Sequence, residues 1–141
     1  MSIKQISVFV ENRHGALTDV CSVLAENGIS MHALSLADTQ DFGILRVIVE
    51  DPEKAAEILR SSGYPCKLTP VIAVRMEDKP GGMAAVMKLI SDAGIGVEYA
   101  YAFLSHTPGK AYMVFRIEGS ESRRKLSDMG LDIVSSEELF R

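Results

Sequence analysis

Two short segments of this 141-residue chain place residues suited to binding a small charged molecule at a turn. The segments ENRHG at 11–15 and EDKPG at 77–81 each follow an apolar, strand-like run and precede a helical pattern. A glycine there permits a tight turn, and the first turn of the helix presents unpaired N–H groups that suit a carboxylate. From the corners alone, the simpler interpretation is that Asn12 and Asp78 only cap their helices and the glycines only turn the chain.

The composition excludes several classes of protein. Apolar residues make up 47% of the sequence, which is enough for a packed core, so we do not expect a disordered chain. The formal net charge of -4 provides no basic field for nucleic acid, and no apolar run approaches membrane-spanning length. The N-terminus becomes polar too early for a signal peptide. Cys21 and Cys66 form no C-x-x-C pair, so we expect reduced cysteines in a soluble, cytoplasmic protein.

The chain repeats itself at an offset of 66 residues, which aligns it without a gap from Ile6 with Ile72 to Val49 with Phe115. Beyond that point the offset becomes 67. A period of this length predicts two copies of a small domain, at residues 1–70 and 71–141. Matched glycines mark the repeat: Gly15 with Gly81, Gly28 with Gly94, and Gly43 with Gly109.

The hydrophobic periodicity in each copy alternates between strand and helix. Ile6, Val8 and Val10 recur with period two, whereas Leu17 and Leu24 recur at helical spacing. The order is βαββαβ twice, which predicts a ferredoxin-like α+β sandwich with the helices on one face of an antiparallel sheet. Since no linker separates the copies, we expect two tandem copies forming a joined sheet. Besides the first strand, the strands are expected at 30–38, 44–50, 65–69, 71–77, 97–105, 110–117 and 131–135, and the helices from Gly15 and at 52–62, 82–93 and 120–128.

Both copies resemble the ACT domain, an amino-acid-sensing regulatory module. The ACT pattern has a strand ending in acid-Asn/Asp-x-Pro-Gly and a helix of the type G-x-L-x-x-V-x-x-x-L, and the corresponding stretches here are ENRHGALTDVCSVLAENGISMHAL and EDKPGGMAAVMKLISDAGIGVEYA. His14 departs from this pattern, because it stands where Pro80 keeps the usual proline of the second corner. The two copies together cover essentially the whole chain.

The resemblance implies where a ligand binds. In ACT domains an amino acid or related metabolite lies between two copies and contacts the corner of one and the start of the second strand of the other. The implied ligand-binding residues are Asn12, His14, Gly15, Ala16 and Leu17 at the first corner, Asp78, Pro80, Gly81, Gly82 and Met83 at the second, and Ser30 and Gly96 at the strand starts.

We expect the second corner to bind the ligand better than the first. Asp78 is charged where Asn12 is neutral, so it can hold an ammonium group by a charge-assisted hydrogen bond. Gly81 and Gly82 are also expected to leave the helix start bare, whereas Ala16 narrows the first corner.

Other motifs give no indication of a metal, a cofactor or a catalytic residue. His14, His32 and His106 are too scattered for a metal site, and the sequence has no nucleophile elbow, P-loop or dinucleotide fingerprint. An acylphosphatase-like anion loop at Arg13 is the least favoured alternative, because the second copy has Lys79 there. A non-catalytic sensor that regulates a partner in amino-acid metabolism is the main hypothesis, and a regulatory subunit with little ligand binding is the other alternative.

An aromatic stripe on the second copy suggests self-association. Tyr99, Tyr101 and Phe103 alternate along one strand, and we assign them to the sheet face without helices. An exposed aromatic stripe is typical of an interface, so we predict a homodimer that buries this face. The alternative is that these side chains lie in the core beneath the helices.

Overall fold

The structure is a computed structural model that describes residues 3–38, 41–104 and 107–140. The chain divides into two compact units. We refer to Lys4–Thr69 as the N-terminal unit and to Pro70–Arg141 with Met1–Ile3 as the C-terminal unit.

The N-terminal unit has the order βαββαβ. Strand β3 pairs antiparallel with both β1 and β2, and the chain leading into β4 lies beside β1, where Phe9 N donates to Pro65 O at 2.9 Å. Asp51 caps α2 by accepting from Lys54 N at 3.2 Å. The elements are β1 (Ile3–Glu11), α1 (Ala16–Glu26), β2 (Ala33–Asp38), β3 (Phe42–Ile48), α2 (Pro52–Ser61) and the first residues of β4 (Cys66–Glu77).

The C-terminal unit repeats this order and adds a short last helix. Its strands lie in the order β5-β6-β4-β7, and all their pairings are antiparallel. The last helix begins at a capping box between Ser135 and Glu138. The elements after β4 are α3 (Gly82–Asp92), β5 (Val97–Ala102), β6 (Lys110–Ile117), α4 (Ser122–Asp128), β7 (Ile133–Val134) and α5 (Ser136–Leu139).

Each unit has its own core between the sheet and its helices. In the N-terminal unit the alternating β1 residues Ile6 and Val8 pack with Val20 and Leu24 of α1. In the C-terminal unit Phe115 of β6 is fully buried in the corresponding cluster. The predicted ferredoxin-like α+β fold, with an antiparallel sheet and helices, is therefore confirmed.

The strand register corrects the gapless repeat. Ile6 pairs with Val47, whereas Ile72 pairs with Phe115, so the offset is 66 on the first strand of each pair and 68 on the second. The second copy thus carries two more residues in its hairpin, and Gly43 corresponds to Ala111 rather than to Gly109. Because side chains alternate with period two, a slip of two residues keeps the apolar pattern, which is why the sequence aligned without a visible gap.

The aromatic stripe lies on the face that we expected, but it is not exposed. Tyr101 pairs with Val114, while Ala100 pairs with Phe115 of the helix-side core, so Tyr101 faces away from the helices. However, Tyr101 is only 7% exposed and Phe103 only 9%. The expectation of an exposed stripe is wrong for Tyr101 and Phe103; Phe140 near the C-terminus packs against Phe103, a contact that strand alternation alone does not reveal.

Candidate functional site

The first corner joins β1 to α1 without a side-chain cap. Gly15 is the N-cap residue of α1 with φ at 84°, a left-handed conformation that favours glycine, and no side chain accepts a hydrogen bond from the helix start. Gly81 occupies the same position before α3, with φ at 89°, and again no side chain caps the helix. The interpretation of Asn12 and Asp78 as helix caps is therefore wrong.

Donors remain open at the first corner. Ala16 N donates to Arg13 O at 3.3 Å, and the helical pattern begins when Asp19 N donates to Gly15 O at 3.0 Å. Among the described residues the amides of Leu17 and Thr18, which lie between these two, have no hydrogen-bond partner. Open N–H groups in the first turn of a helix carry partial positive charge and attract anions.

An acceptor lies beside these donors. The Asn12 side chain is exposed and has no hydrogen-bond partner within the described part of the chain, while its backbone N donates to Asp41 O at 3.3 Å. A fixed backbone and a free amide oxygen suit a ligand with an ammonium group.

A cleft of about 290 Å³ opens at this corner. Asn12, Ala16 and Leu17 line it together with Glu11 and Val10. Its volume is near the lower end of the range for small-molecule pockets. Three of the site residues implied by the resemblance thus lie in one cleft.

Sequence reasoning did not name Val10, Glu11 or Arg13 of this cleft as site residues, nor the more distant Leu36 and Gly43. Leu36 and Gly43 reach the corner from the β2–β3 hairpin because Val10 pairs with Gly43. The signal for them is the strand register, which the sequence repeat misassigned at that hairpin.

Arg13 is not available as an anion clamp. Its guanidinium lies 3.3 Å from the carboxylate of Glu11 and 3.2 Å from that of Asp19. The hydrogen bond to Asp19 contributes most to raising the pKa of Arg13 above its usual range. A guanidinium held between two carboxylates is already neutralised, which argues against an acylphosphatase-like loop.

The second corner repeats the open amides. Gly82 N donates to Lys79 O at 3.0 Å and Ala85 N to Gly81 O at 3.0 Å, and within the described segments the amides between them, Met83 and Ala84, have no partner. The Asp78 side chain is exposed and is likewise without a partner among the described residues. Beside it, Lys110 Nζ donates to Glu77 Oε1 at 2.6 Å, and this hydrogen bond holds the pKa of Glu77 below its usual value.

Gly82 does not leave its helix start bare. The residue is buried, and a Cβ atom at this position would lie 2.1 Å from the carbonyl oxygen of Glu77. The glycine therefore serves the close contact between α3 and the end of β4. The expectation that Gly82 leaves the start of α3 open to a ligand is therefore wrong, because the space left by the absent side chain is occupied by the backbone of Glu77.

The strand starts lie apart from the corners. Ser30 lines a separate pocket of about 250 Å³ with His32 and Lys54, at the other end of α1. An 11-residue helix is about 16 Å long, so Ser30 does not reach the first corner of its own unit. Gly96 lies against Glu118, whose N donates to Gly96 O at 3.2 Å.

The remaining implied residues are at the surface. His14 and Pro80 are exposed in their corners, and Met83 is 37% exposed. His106 lies outside the described residues. In the described part of the chain no group of three His, Cys, Asp or Glu residues could hold a metal ion, and no helix there is both long and apolar enough to cross a membrane.

The two cysteines are free and half-buried. Burial raises the pKa of the Cys66 thiol, although nearby Arg60 acts in the opposite direction. Cys66 Sγ lies 3.5 Å from Ala56 O. Cys66 thus packs as a small side chain with a raised thiol pKa, which fits the reduced state expected from the sequence.

Solved structures of known proteins share this fold. A protein of Bacteroides thetaiotaomicron is 34% identical over 100% of this chain and 97% of its own, with a TM-score of 0.90. The ligand-free regulatory subunit of aspartate kinase from Thermus thermophilus is 17% identical over 91% of this chain and 90% of its own, with a TM-score of 0.66. The corresponding subunit from Thermus flavus is 17% identical over 100% and 94%, with a TM-score of 0.64.

Sequence comparison identifies the family. No curated protein matches the chain closely enough to count as a relative. The family described as the ACT domain pair matches residues 1–141, the whole of the sequence. Together with the two βαββαβ units and their paired glycine corners, this match shows that the chain belongs to the ACT domain pair family.

Proposed function

We propose that this protein is a non-catalytic sensor that binds an amino acid at the first corner and regulates a partner in amino-acid metabolism. One observation carries the proposal: an uncapped helix start with two open amides lies beside the unpartnered Asn12 at a cleft of about 290 Å³. A buried or cleft-lining polar group that the protein leaves unpaired is a candidate for pairing with a ligand.

The groups of the corner match those of an amino acid. The ligand carboxylate would accept from the amides of Leu17 and Thr18, where the helix dipole favours negative charge. The ammonium would donate to the side chain of Asn12, with the exposed carboxylate of Glu11 nearby in the same cleft. The ligand side chain would then lie against Val10 and Leu36.

We assign the main site to the first corner and not to the second. The first corner has a cleft lined by described residues, and the tight contact between Gly82 and Glu77 removes one argument for the second corner. The charge of Asp78 remains an argument for the second corner, so the two corners need to be compared directly.

The partner is proposed from the family and its relatives. Two structures with the same fold are regulatory subunits of aspartate kinase, an enzyme that acts on an amino acid. At 17% identity these relatives support only the fold, so the enzyme that this chain regulates stays a proposal at the level of amino-acid metabolism. The cytoplasmic location stays a prediction from the sequence.

We also propose that the protein forms a homodimer, but through a different surface from the aromatic stripe. Strand β2 is at the edge of its sheet, and it carries Leu34 and Leu36, which are exposed. An edge strand has unpaired main-chain groups, and apolar side chains beside them favour pairing with the same strand of a second copy.

The sensor is tested by thermal unfolding against a panel of the standard amino acids, followed by calorimetry with those that stabilise the protein. A ligand at about 100 times its dissociation constant adds about 2.7 kcal/mol to the free energy of unfolding. Asn12→Ala should weaken binding about tenfold, whereas Asp78→Ala, the matched change at the second corner, should alter it less than about twofold. A larger loss from Asp78→Ala would assign the site to the second corner, and no stabilisation by any amino acid would contradict the sensor.

A further inference from the structure

We propose that the C-terminal unit has a second small-molecule site, separate from the corners, that binds an organic anion: a carboxylate or phosphate group on an apolar body. The site is a pocket of about 430 Å³. It lies where β4 enters the unit at Pro70 and β6 ends at Ile117, beside the first residues of α4. This volume is within the range of ordinary ligand pockets.

The floor of the pocket is apolar and its rim is basic. Val71, Ile72 and Ile117 line it, and each is less than 9% exposed. Arg116 and Arg123 are its only charged lining residues in the described part of the chain. An apolar floor below two guanidinium groups suits a ligand whose apolar body is buried while its anionic group faces the rim.

Arg116 is held in position by its neighbours. Its Nε lies 3.3 Å from Glu98 Oε2, and its Nη1 donates to Pro70 O at 2.9 Å. Glu98 does not line the pocket. Arg116 therefore has a fixed position in the pocket wall, and some of its N–H donors are already paired. A bound anion would add less to its interactions than to those of an unpaired guanidinium.

Arg123 is the group that lacks a counter-charge. It is half-buried and, among the residues that the structure describes, it makes no hydrogen bond and no ion pair. A partly desolvated guanidinium loses hydrogen bonds to water, and without an acceptor in the protein this loss is not compensated. An anion that enters the pocket can supply the hydrogen bonds and the counter-charge. Because none of the described lining residues carries a carboxylate, the ammonium group of an amino acid would face two guanidinium groups without a counter-charge there.

The first copy does not repeat this arrangement. The strand register gives an offset of 68 between β3 and β6, so Arg116 corresponds to Ile48, which is fully buried. The first copy thus lacks the arginine that forms this part of the basic rim. A ligand of this pocket would differ in charge from the zwitterion proposed for the first corner.

The site is tested with three probes that share a phenyl group: 3-phenylpropionate, phenyl phosphate and the neutral 3-phenylpropanamide. Binding is followed by NMR through the backbone amides of Gly119 and Ser120, which line the pocket. At least one anion should bind with a dissociation constant below about 1 mM, and the amide should bind at least about tenfold more weakly. The carboxylate and the phosphate probe together distinguish which anionic group the pocket prefers.

Two variants separate the pocket from general charge attraction. Arg123→Gln removes the unpartnered guanidinium, and Arg124→Gln makes the same change of charge at the next, exposed residue, which does not line the pocket. Arg123→Gln should weaken the better anion about tenfold and Arg124→Gln less than about twofold, while Ser120→Glu should also weaken it by repulsion. Asn12→Ala should leave anion binding unchanged, which separates this site from the proposed function. Equal effects of Arg123→Gln and Arg124→Gln, or no anion binding by about 1 mM, would overturn the proposal.

Discussion

The ring of Phe140 packs against that of Phe103, with 6.3 Å between the ring centroids and 58° between the ring planes. Phe103 also contacts Tyr112, at 6.3 Å between centroids, and Leu139 beside Phe140 is buried. The end of the chain thus covers part of the sheet face opposite α3 and α4 in the C-terminal unit.

We expect Phe140→Ala to lower the free energy of unfolding by about 1–2 kcal/mol. The change removes a half-buried aromatic side chain and one ring pair, and it uncovers Phe103. The measurement is a urea titration. Leu104→Ala is the control, because Leu104 is 60% exposed and its truncation should cost less than about 0.5 kcal/mol. Equal costs for the two variants would contradict the packing role of Phe140.

Gly82→Ala should destabilise the protein by about 1–3 kcal/mol, although an alanine usually stabilises a helix. The added Cβ would lie 2.1 Å from Glu77 O, so the helix start must move away from the strand. Gly28→Ala is the control, because a Cβ at Gly28 meets nothing within 4 Å and only its φ of 69° opposes the change. A stability for Gly82→Ala at or above that of the unmodified protein would show that the contact can relax.

The pKa of Glu77 should rise toward its ordinary value of 4.5 in Lys110→Met, because that change removes the hydrogen bond from Lys110 Nζ. A carboxyl with a lowered pKa stabilises the folded state above its unfolded pKa, and this stabilisation is lost as the pH falls through the lowered value. The variant should therefore lose less stability than the unmodified protein when the pH falls below about 4.5. NMR titration of the Glu77 carboxyl measures the shift, and Lys88→Met, which removes the partner of Asp92 instead, should leave it unchanged.

Sedimentation should give a dimer at micromolar concentration, and Leu34→Lys should shift it toward the monomer. Leu34 is 43% exposed on edge strand β2, where a charge opposes strand pairing between copies. Leu104→Lys places the same charge at an exposed position outside that strand and should have no effect. A monomeric unmodified protein would rule out the homodimer, and a dimer that tolerates Leu34→Lys would place the interface elsewhere.

The element order could be predicted from the sequence, since it depends on local patterns. Period-two alternation in β1 and helical spacing in α1 are properties of neighbouring residues. Gly15 and Gly81 likewise occur where α1 and α3 need a residue in the left-handed conformation at the N-cap. The chemistry of the corner was likewise predictable, because open amides follow from the start of any uncapped helix.

Long-range contacts could not be predicted in the same way. The burial of Gly82 depends on how closely α3 approaches Glu77, and the cleft at the first corner depends on Leu36 from a hairpin that alternation alone does not position. The aromatic stripe shows the same limit: alternation assigned Tyr101 to the correct face, but only tertiary packing determines whether a face is exposed.

The different hairpin lengths of the two copies have a consequence for how such a duplicated chain can diverge. Ile72 pairs with Phe115 as Ile6 pairs with Val47, so the two extra residues of the second copy belong to the connection before β6 and the core positions of that strand are unchanged. This connection can therefore change its length while the paired strands keep their register, and inserted tags or reporter sequences of odd or even length should be tolerated there.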